Sequence, residues 1–180
     1  MQFAWVNKKW EDIGASFLFL NNGMQYIDAV NNRNNETRYS QTFGTHLTYT
    51  QSQYALMANL YYQTGKDVND NDLNAYLLGI EASYKVFPNW TLQVGAELQS
   101  GNDYGAPSNG KNKSFTPLYG TNHKFNGHMD YFYVGNHLNN VGLLDLYIGS
   151  TIKTGENTNF SIRIHNFNAA ADIMNDESNH

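Results

Sequence analysis

Cysteine is absent from the 180-residue chain, so a disulfide scaffold, a thiolate metal centre and a cysteine nucleophile are all excluded. Positive charge is sparse and unclustered: 11 Lys and Arg stand against 16 Asp and Glu, for a formal net charge of -5. Nucleic-acid binding needs a basic patch or stripe, so neither DNA nor RNA is expected as a partner. Charged residues of both signs make up only 15 % of the chain, little for an ordinary soluble surface. Long apolar runs are missing too. No stretch approaches the roughly 18 residues of a membrane helix, and Met1-Gln-Phe-Ala-Trp-Val-Asn-Lys-Lys-Trp10 lacks the basic start and apolar core of a signal peptide. A β-span is untouched by these absences, because its signal is an alternation over roughly ten residues.

Aromatic residues are plentiful at 14 %, with 13 Tyr and 10 Phe, and they take part in a regular alternation. Phe43, Thr45, Leu47 and Tyr49 alternate with Gly44, His46, Thr48 and Thr50. The same period of two recurs in Tyr54, Leu56, Ala58, Leu60 and Tyr62, in Tyr76, Leu78, Ile80, Ala82 and Tyr84, and in Leu92, Val94, Ala96 and Leu98. Leu144, Leu146 and Ile148 repeat it, as do Phe160, Ile162 and Ile164, while Ile13, Ala15, Phe17 and Phe19 form a less clean member because Leu18 and Leu20 fall on the other face. Strict alternation is the signature of strands with one apolar and one polar face. Connections sort as well: 7–9, 51–53, 85–90 and 153–158 are short, whereas 21–41, 65–73 and 102–141 are longer. Short turns on one side and long loops on the other are the arrangement of an outer-membrane barrel.

Tyrosines cap the apolar rows at both ends, as amphipathic rings do at membrane interfaces. Tyr49, Tyr54 and Tyr84 adjoin short turns, and Phe43, Tyr62 and Tyr76 adjoin longer loops. Tyr54 to Tyr62 covers roughly 26 Å of strand, or about 20 Å of height once tilted, close to an apolar band of about 25 Å. The expected fold is therefore an all-β antiparallel transmembrane β-barrel wall, a meander of about eight strands belonging to a larger barrel. Residues 1–180 read as one partial outer-membrane domain with long loops at 21–41 and 102–141. A soluble β-sandwich or lipocalin-like barrel is the competing fold, since alternation alone does not tell inside from outside. Gly14, Gly44, Gly79, Gly95 and Gly149 recur on the polar face, either leaving lumen space or bending the wall.

The segment Ser114-Phe-Thr-Pro-Leu-Tyr-Gly-Thr-Asn-His123-Lys-Phe-Asn-Gly127-His-Met-Asp130-Tyr-Phe resembles the form LY-x-T-N-H-K-x-x-G-x-M-D of the alginate export family of bacterial outer-membrane β-barrels, particularly its Bacteroidetes members. The following Gly142-Leu-Leu-Asp-Leu-Tyr strand looks like that family too. The resemblance covers about residues 114–150 and implies a passive channel for an anionic polysaccharide in one barrel of about eighteen strands, wide enough to leave an aqueous lumen. It implies no enzyme. The chain departs from the family in length and in lacking a closing aromatic-ended strand, so it reads as part of a longer gene product.

Strand parity aims Arg38, His46, Arg163 and His165 at the polar face, together with the carboxylates Glu81, Glu97 and Asp145. The long loop adds Tyr119, His123, Lys124, Phe125, His128 and Asp130: cations for carboxylated sugars, ring faces for pyranose units, and an acid that orients the loop. With Lys111 and Lys113 this loop is basic enough to attract carboxylates, though a solvated loop explains the same charges. Catalytic readings are set aside. Glu81 and Glu97 lie on one face but lack an apolar pocket to raise one pKa, and no Gly-x-Ser-x-Gly elbow occurs. Asp67, Asn69, Asp70, Asn71 and Asp72 offer oxygen ligands, yet the EF-hand glycine is missing, so a solvated loop is favoured over calcium. His123 and His128 make a weak zinc pair. Neither metal nor cofactor is expected. The sequence thus points to a Gram-negative outer-membrane, porin-like channel for an acidic, alginate-like polysaccharide. The alternatives are a non-conducting surface-binding or scaffold barrel and a soluble binding barrel. Outer-membrane lipid, an anionic oligo- or polysaccharide and other envelope proteins are the candidate partners.

Overall fold

Residues that alternate apolar and polar along the sequence pair as long antiparallel strands. A computed structural model describes residues 1–27, 35–104, 109–119, 126–127 and 141–173. The strands are β1 (Gln2–Trp10), β2 (Ile13–Ile27), β3 (Asn35–Thr50), β4 (Tyr54–Lys66), β5 (Asp72–Phe87), β6 (Trp90–Gln99), β7 (Lys111–Asn112), β8 (Leu143–Lys153) and β9 (Asn159–Asn168). Eight form an antiparallel meander in the order β1-β2-β3-β4-β5-β6-β8-β9, and the two-residue β7 lies parallel to the start of β5. No helix is found among the described residues, and the sheet is open, with β1 and β9 at its edges.

Two expectations are corrected. Residues 21–41 are not one long loop: β2 continues to Ile27 and β3 starts at Asn35, so most of that stretch is paired, with Asn21 opposite Gln41 and Tyr26 opposite Glu36. The apolar alternation that marks a strand stops at Phe19 and Phe43, but backbone pairing needs no apolar side chain and runs on as a polar ribbon. Residues 102–141 likewise contain β7. The connections 67–71 and 154–158, at opposite ends of the sheet, are of similar length, so loop sorting is less strict than the sequence suggested.

Register lines up each apolar run. One row runs Ala4, Phe19, Phe43, Tyr62, Tyr76, and the next runs Val6, Phe17, Thr45, Leu60, Leu78, Leu98, Leu144. Phe19 and Phe43 pack with their rings tilted by 43° and centroids 5.2 Å apart. Immediately beyond them the face turns polar, where Gln41 donates to Asn21 at 2.8 Å and Asn21 to Gln2 at 3.2 Å.

Burial is inverted relative to a soluble domain. Ile80, Val94 and Ile148 are 61 %, 55 % and 59 % exposed, whereas Gln63, Asn112, Ser114 and Asp145 are almost completely buried. The small hydrophobic core sits on the polar side, where Phe115 of the segment after β7 packs with Leu73 and Ala75, flanked by Tyr61 and Leu77. The segment is hydrogen-bonded down: Phe115 N–H donates to Ser100 O at 2.9 Å, and Gln63 both accepts from Thr116 N–H at 3.0 Å and donates to its carbonyl at 2.7 Å. The long connection leaves and re-enters the sheet where Gly101 and Gly142 cross. A Cβ on Gly101 would lie 1.9 Å from the Val141 carbonyl carbon, and Gly142 has φ +69°, so both positions require glycine.

Candidate functional site

The polar face of β5, β6, β8 and β9 gathers most of the described charged candidates. Parity sets them there, and cross-strand register sets their neighbours: Glu97 lies opposite Asp145, and Tyr147 opposite both Gly95 and His165. Two networks result. In the first, Tyr147 OH donates to Glu81 at 2.6 Å while the Arg163 guanidinium lies 4.8 Å over the Tyr147 ring, 3.8 Å from Glu81 and 3.3 Å from Gln93 Oε1. In the second, His165 Nδ1 is 2.9 Å from Asp145, and Asn126 donates to both Glu97 at 3.2 Å and Asp145 at 3.3 Å. His165 also stacks on Phe167 at 5.2 Å. Asp145 is thus a buried acceptor met by two donors, as a buried carboxylate requires. Glu81 and Glu97 belong to separate networks, each committed to its own partners.

Two of the recurring glycines, Gly44 and Gly95, have a local cause. A Cβ on Gly95 would stand 2.2 Å from the Tyr147 ring, and one on Gly44 would stand 2.3 Å from the Tyr61 ring. Each glycine is the cross-strand partner of that tyrosine. The ring occupies the place a side chain would take, the pairing known to pin register. The space is therefore filled by a neighbouring ring rather than left open.

The other candidates separate. His46 Nδ1 is 2.7 Å from Asn59 Oδ1 on the neighbouring strand. Arg38 lies at the long-loop end, ion-paired with Glu36 and with Asp70 at 2.6 Å, and stacked on Tyr26. Tyr119, exposed at its ring, donates through its hydroxyl to Asn22 at 3.0 Å. His123, Lys124, Phe125, His128 and Asp130 lie outside the described residues.

The 67–72 loop is built around Asp67 as a hydrogen-bond hub. Its Oδ1 accepts from the Asn69 and Asn71 N–H groups at 2.8 and 2.9 Å, and its Oδ2 from Asn71 Nδ2 and Asn112 Nδ2 at 3.1 and 2.9 Å. These donors occupy the lone pairs that a cation would need. Lys66 and Asp72 pair at 2.7 Å across the same loop. Hydrogen bonding to Asp72 holds the Lys66 ammonium above its usual value, and the same bond holds the Asp72 carboxyl below the usual carboxylate range. Among the described residues no group of three His, Asp or Glu is placed to hold a metal.

No protein-family model, curated protein or solved structure matches this chain. Sequence reasoning missed Asn126, Gln99 and Gln63 as organisers of the polar face. Amides carry no charge signal; strand register places Gln63 and Gln99 on the polar face, and Asn126 reaches Glu97 from the long connection.

Proposed function

We propose that this chain is wall of a Gram-negative outer-membrane β-barrel that works as a porin-like channel for a saccharide, with an acidic polysaccharide as its cargo. The observation that carries the reading is the inverted sheet. Large apolar side chains stand bare on one face while the other buries Gln63 and Asp145 and carries a packed segment. In water such a face is a liability. In lipid it is the solvated face, and the polar side becomes the interior. Rows of Phe and Tyr bounding the apolar face, with Gln2, Asn21 and Gln41 just beyond, fit an interface between hydrocarbon and water. Further strands would complete the wall at the open β1 and β9 edges, whose unpaired backbone groups lipid does not tolerate.

The acidic cargo rests on the likeness of residues 114–150 to alginate exporters and on three cations, Arg163 on the polar face and the exposed Lys111 and Lys113. Planar-bilayer recording of the full-length protein tests it. Discrete conductance steps are expected, with block by uronate oligomers. Arg163→Glu lowers anion preference, by less at high salt, where charges beyond about 8 to 10 Å are screened. Conductance without uronate block removes the acidic cargo. Absence of conductance favours a non-conducting surface-binding or scaffold barrel, a reading supported by the 111–119 segment lying across the polar face.

A further inference from the structure

The polar face is not polar throughout. Trp5 pairs with Leu18 and Phe3 with Leu20, whereas Ala4 and Val6 pair with Phe19 and Phe17 of the apolar face. Trp5 and Phe3 therefore stand on the polar side. Their rows continue as Trp5, Leu18, Gly44, Tyr61, Leu77 and as Phe3, Leu20, Thr42, Gln63, Ala75. The 115–118 segment covers the β2 to β5 part of these rows. Phe115 packs on Ala75, and a cavity of about 250 Å3 is lined by Leu18, Leu20, Leu77 and Gln99 together with Phe115 and Pro117. Tyr119 fastens the end of the segment to Asn22 of β2. Among the described residues the cover stops at that strand. Leu20 is buried, but one strand further Phe3 and Trp5 are 67 % and 58 % exposed.

Exposed apolar side chains with polar neighbours mark a binding surface. A strand joining the open β1 edge would lie in the plane of the sheet and take backbone groups, leaving this side of the rings uncovered. The residues that follow on the same face narrow the occupant. Asn7 opposite Ser16 and Lys9 opposite Gly14 extend the strip. One side of β1 thus presents two aromatic rings, an amide and an ammonium in line, at intervals of roughly 6.6 Å. Both polar residues are exposed. On the other side Lys8 lies 5.3 Å over the Trp10 ring, whereas Lys9 has no ion pair among the described residues. An apolar protein segment would match the rings but not the amide and ammonium beside them, which call for an acceptor and an anion. A chain of carboxylated sugars meets all four, because each pyranose unit has a C–H face for a ring, hydroxyls for an amide and a carboxylate for an ammonium.

We propose that this side of β1 is a binding track for a uronate oligosaccharide, whose pyranose C–H faces lie on Phe3 and Trp5 while Asn7 meets a hydroxyl and Lys9 holds a carboxylate. The proposal rests on the reading of the polar face as a channel interior with an acidic cargo, and it names where on the wall that cargo is held. The rings supply affinity for any pyranose, and Lys9 supplies the preference for an acidic one.

Calorimetry on the full-length protein in detergent tests this, with a linear tetramer of mannuronic acid as the probe and the uncharged mannose tetramer of the same linkage as its counterpart. The acidic tetramer is expected to bind, and the neutral one to bind about tenfold more weakly. Trp5→Ala weakens both by about tenfold, and Trp5→Phe restores most of the loss. Lys9→Gln weakens the acidic tetramer to the level of the neutral one and leaves the neutral one unchanged. Trp10→Ala, on the opposite side of the same strand, changes neither and so separates a lost contact from a lost fold. Acrylamide should quench Trp5, read as the difference from Trp5→Phe, and the acidic tetramer should protect it. The proposal is overturned by absent binding of the acidic tetramer, by affinity that survives Trp5→Ala or Lys9→Gln, or by a Trp5 already shielded from acrylamide without sugar, which would put a protein segment on the rings. Bilayer recordings of the same preparation separate the two readings. Uronate block that survives both substitutions removes the track alone, and tetramer binding that is lost with them but comes without conductance removes the channel alone.

Discussion

Ile80 and Glu81 are chain neighbours, yet Ile80 stands 61 % exposed while Glu81 is held against Tyr147 and Arg163. The same contrast repeats at Val94 beside Gly95, and at Leu146 and Ile148 around Tyr147. Among the described residues, large hydrophobic side chains stand exposed on one face of the sheet, while the other face buries Gln63, Gln99 and Asp145 among protein partners. The pleat alone separates the two sets.

Substitutions on the apolar face should have the largest effect. In lipid vesicles, Leu78→Arg is expected to destabilise the full-length protein by roughly 2 to 4 kcal/mol, the depth-dependent cost of a cation facing hydrocarbon, read by urea unfolding. Gln93→Arg on the opposite face should cost far less. Equal costs would erase the distinction between faces.

Next in size is the Asp67 hub. Asp67→Ala strands the buried Asn112 amide donor and removes the acceptor that Asn69 and Asn71 share, and should cost about 2 to 3 kcal/mol. Calcium should not alter the stability of the unsubstituted protein, and a calcium-dependent rise in the unfolding midpoint would contradict the hub assignment.

The polar face can also be probed at its glycines. Gly95→Ala drives a methyl into the Tyr147 ring and should cost about 1 to 2 kcal/mol. Gly79→Ala, whose nearest neighbour would be Asn59 at an ordinary 3.5 Å, should be neutral or stabilising by up to about 1 kcal/mol. A double-mutant cycle with Tyr147→Ala should recover most of the Gly95 penalty. Failure to recover it would dissociate the glycine from the ring.

The smallest effect belongs to the Lys66–Asp72 pair at the water-exposed loop. The depressed Asp72 carboxyl contributes stability that is present above its unfolded pKa and fades as pH falls through the folded one. The raised Lys66 ammonium contributes below the ordinary lysine pKa, and that share is lost as pH rises through its folded value. Lys66→Met should flatten both limbs slightly in denaturant titrations across pH, and unchanged limbs would assign the pair no coupling.

The meander was readable from the sequence because period-two alternation is local: the runs at 42–50, 54–62, 76–84, 92–98 and 144–148 all lie in strands of the sheet. The ribbon over 21–27 and 35–41 was not readable, since Asn, Gln and Gly carry no apolar period and its pairing is held by backbone bonds. The polar face was half legible. Parity put Glu81, Glu97, Asp145, Arg163 and His165 together, but which acid meets which donor depends on cross-strand register. The seating of Tyr61 on Gly44 and of Tyr147 on Gly95 was hidden for the same reason, although large and missing side chains at facing positions would have signalled it. The cavity beside Gln99 arises from a segment that folds back over five strands, a contact no local pattern encodes.

The central claim, that the apolar face meets lipid and the polar face does not, is tested most directly by nitroxide labels placed one at a time at positions 60, 78 and 94 and at 59, 79 and 93 of the full-length protein in lipid vesicles. Labels at 60, 78 and 94 should relax strongly with dissolved oxygen and weakly with a water-soluble nickel chelate, while those at 59, 79 and 93 should be shielded from oxygen. The reverse pattern, with the 59, 79 and 93 set in contact with lipid, would contradict the account.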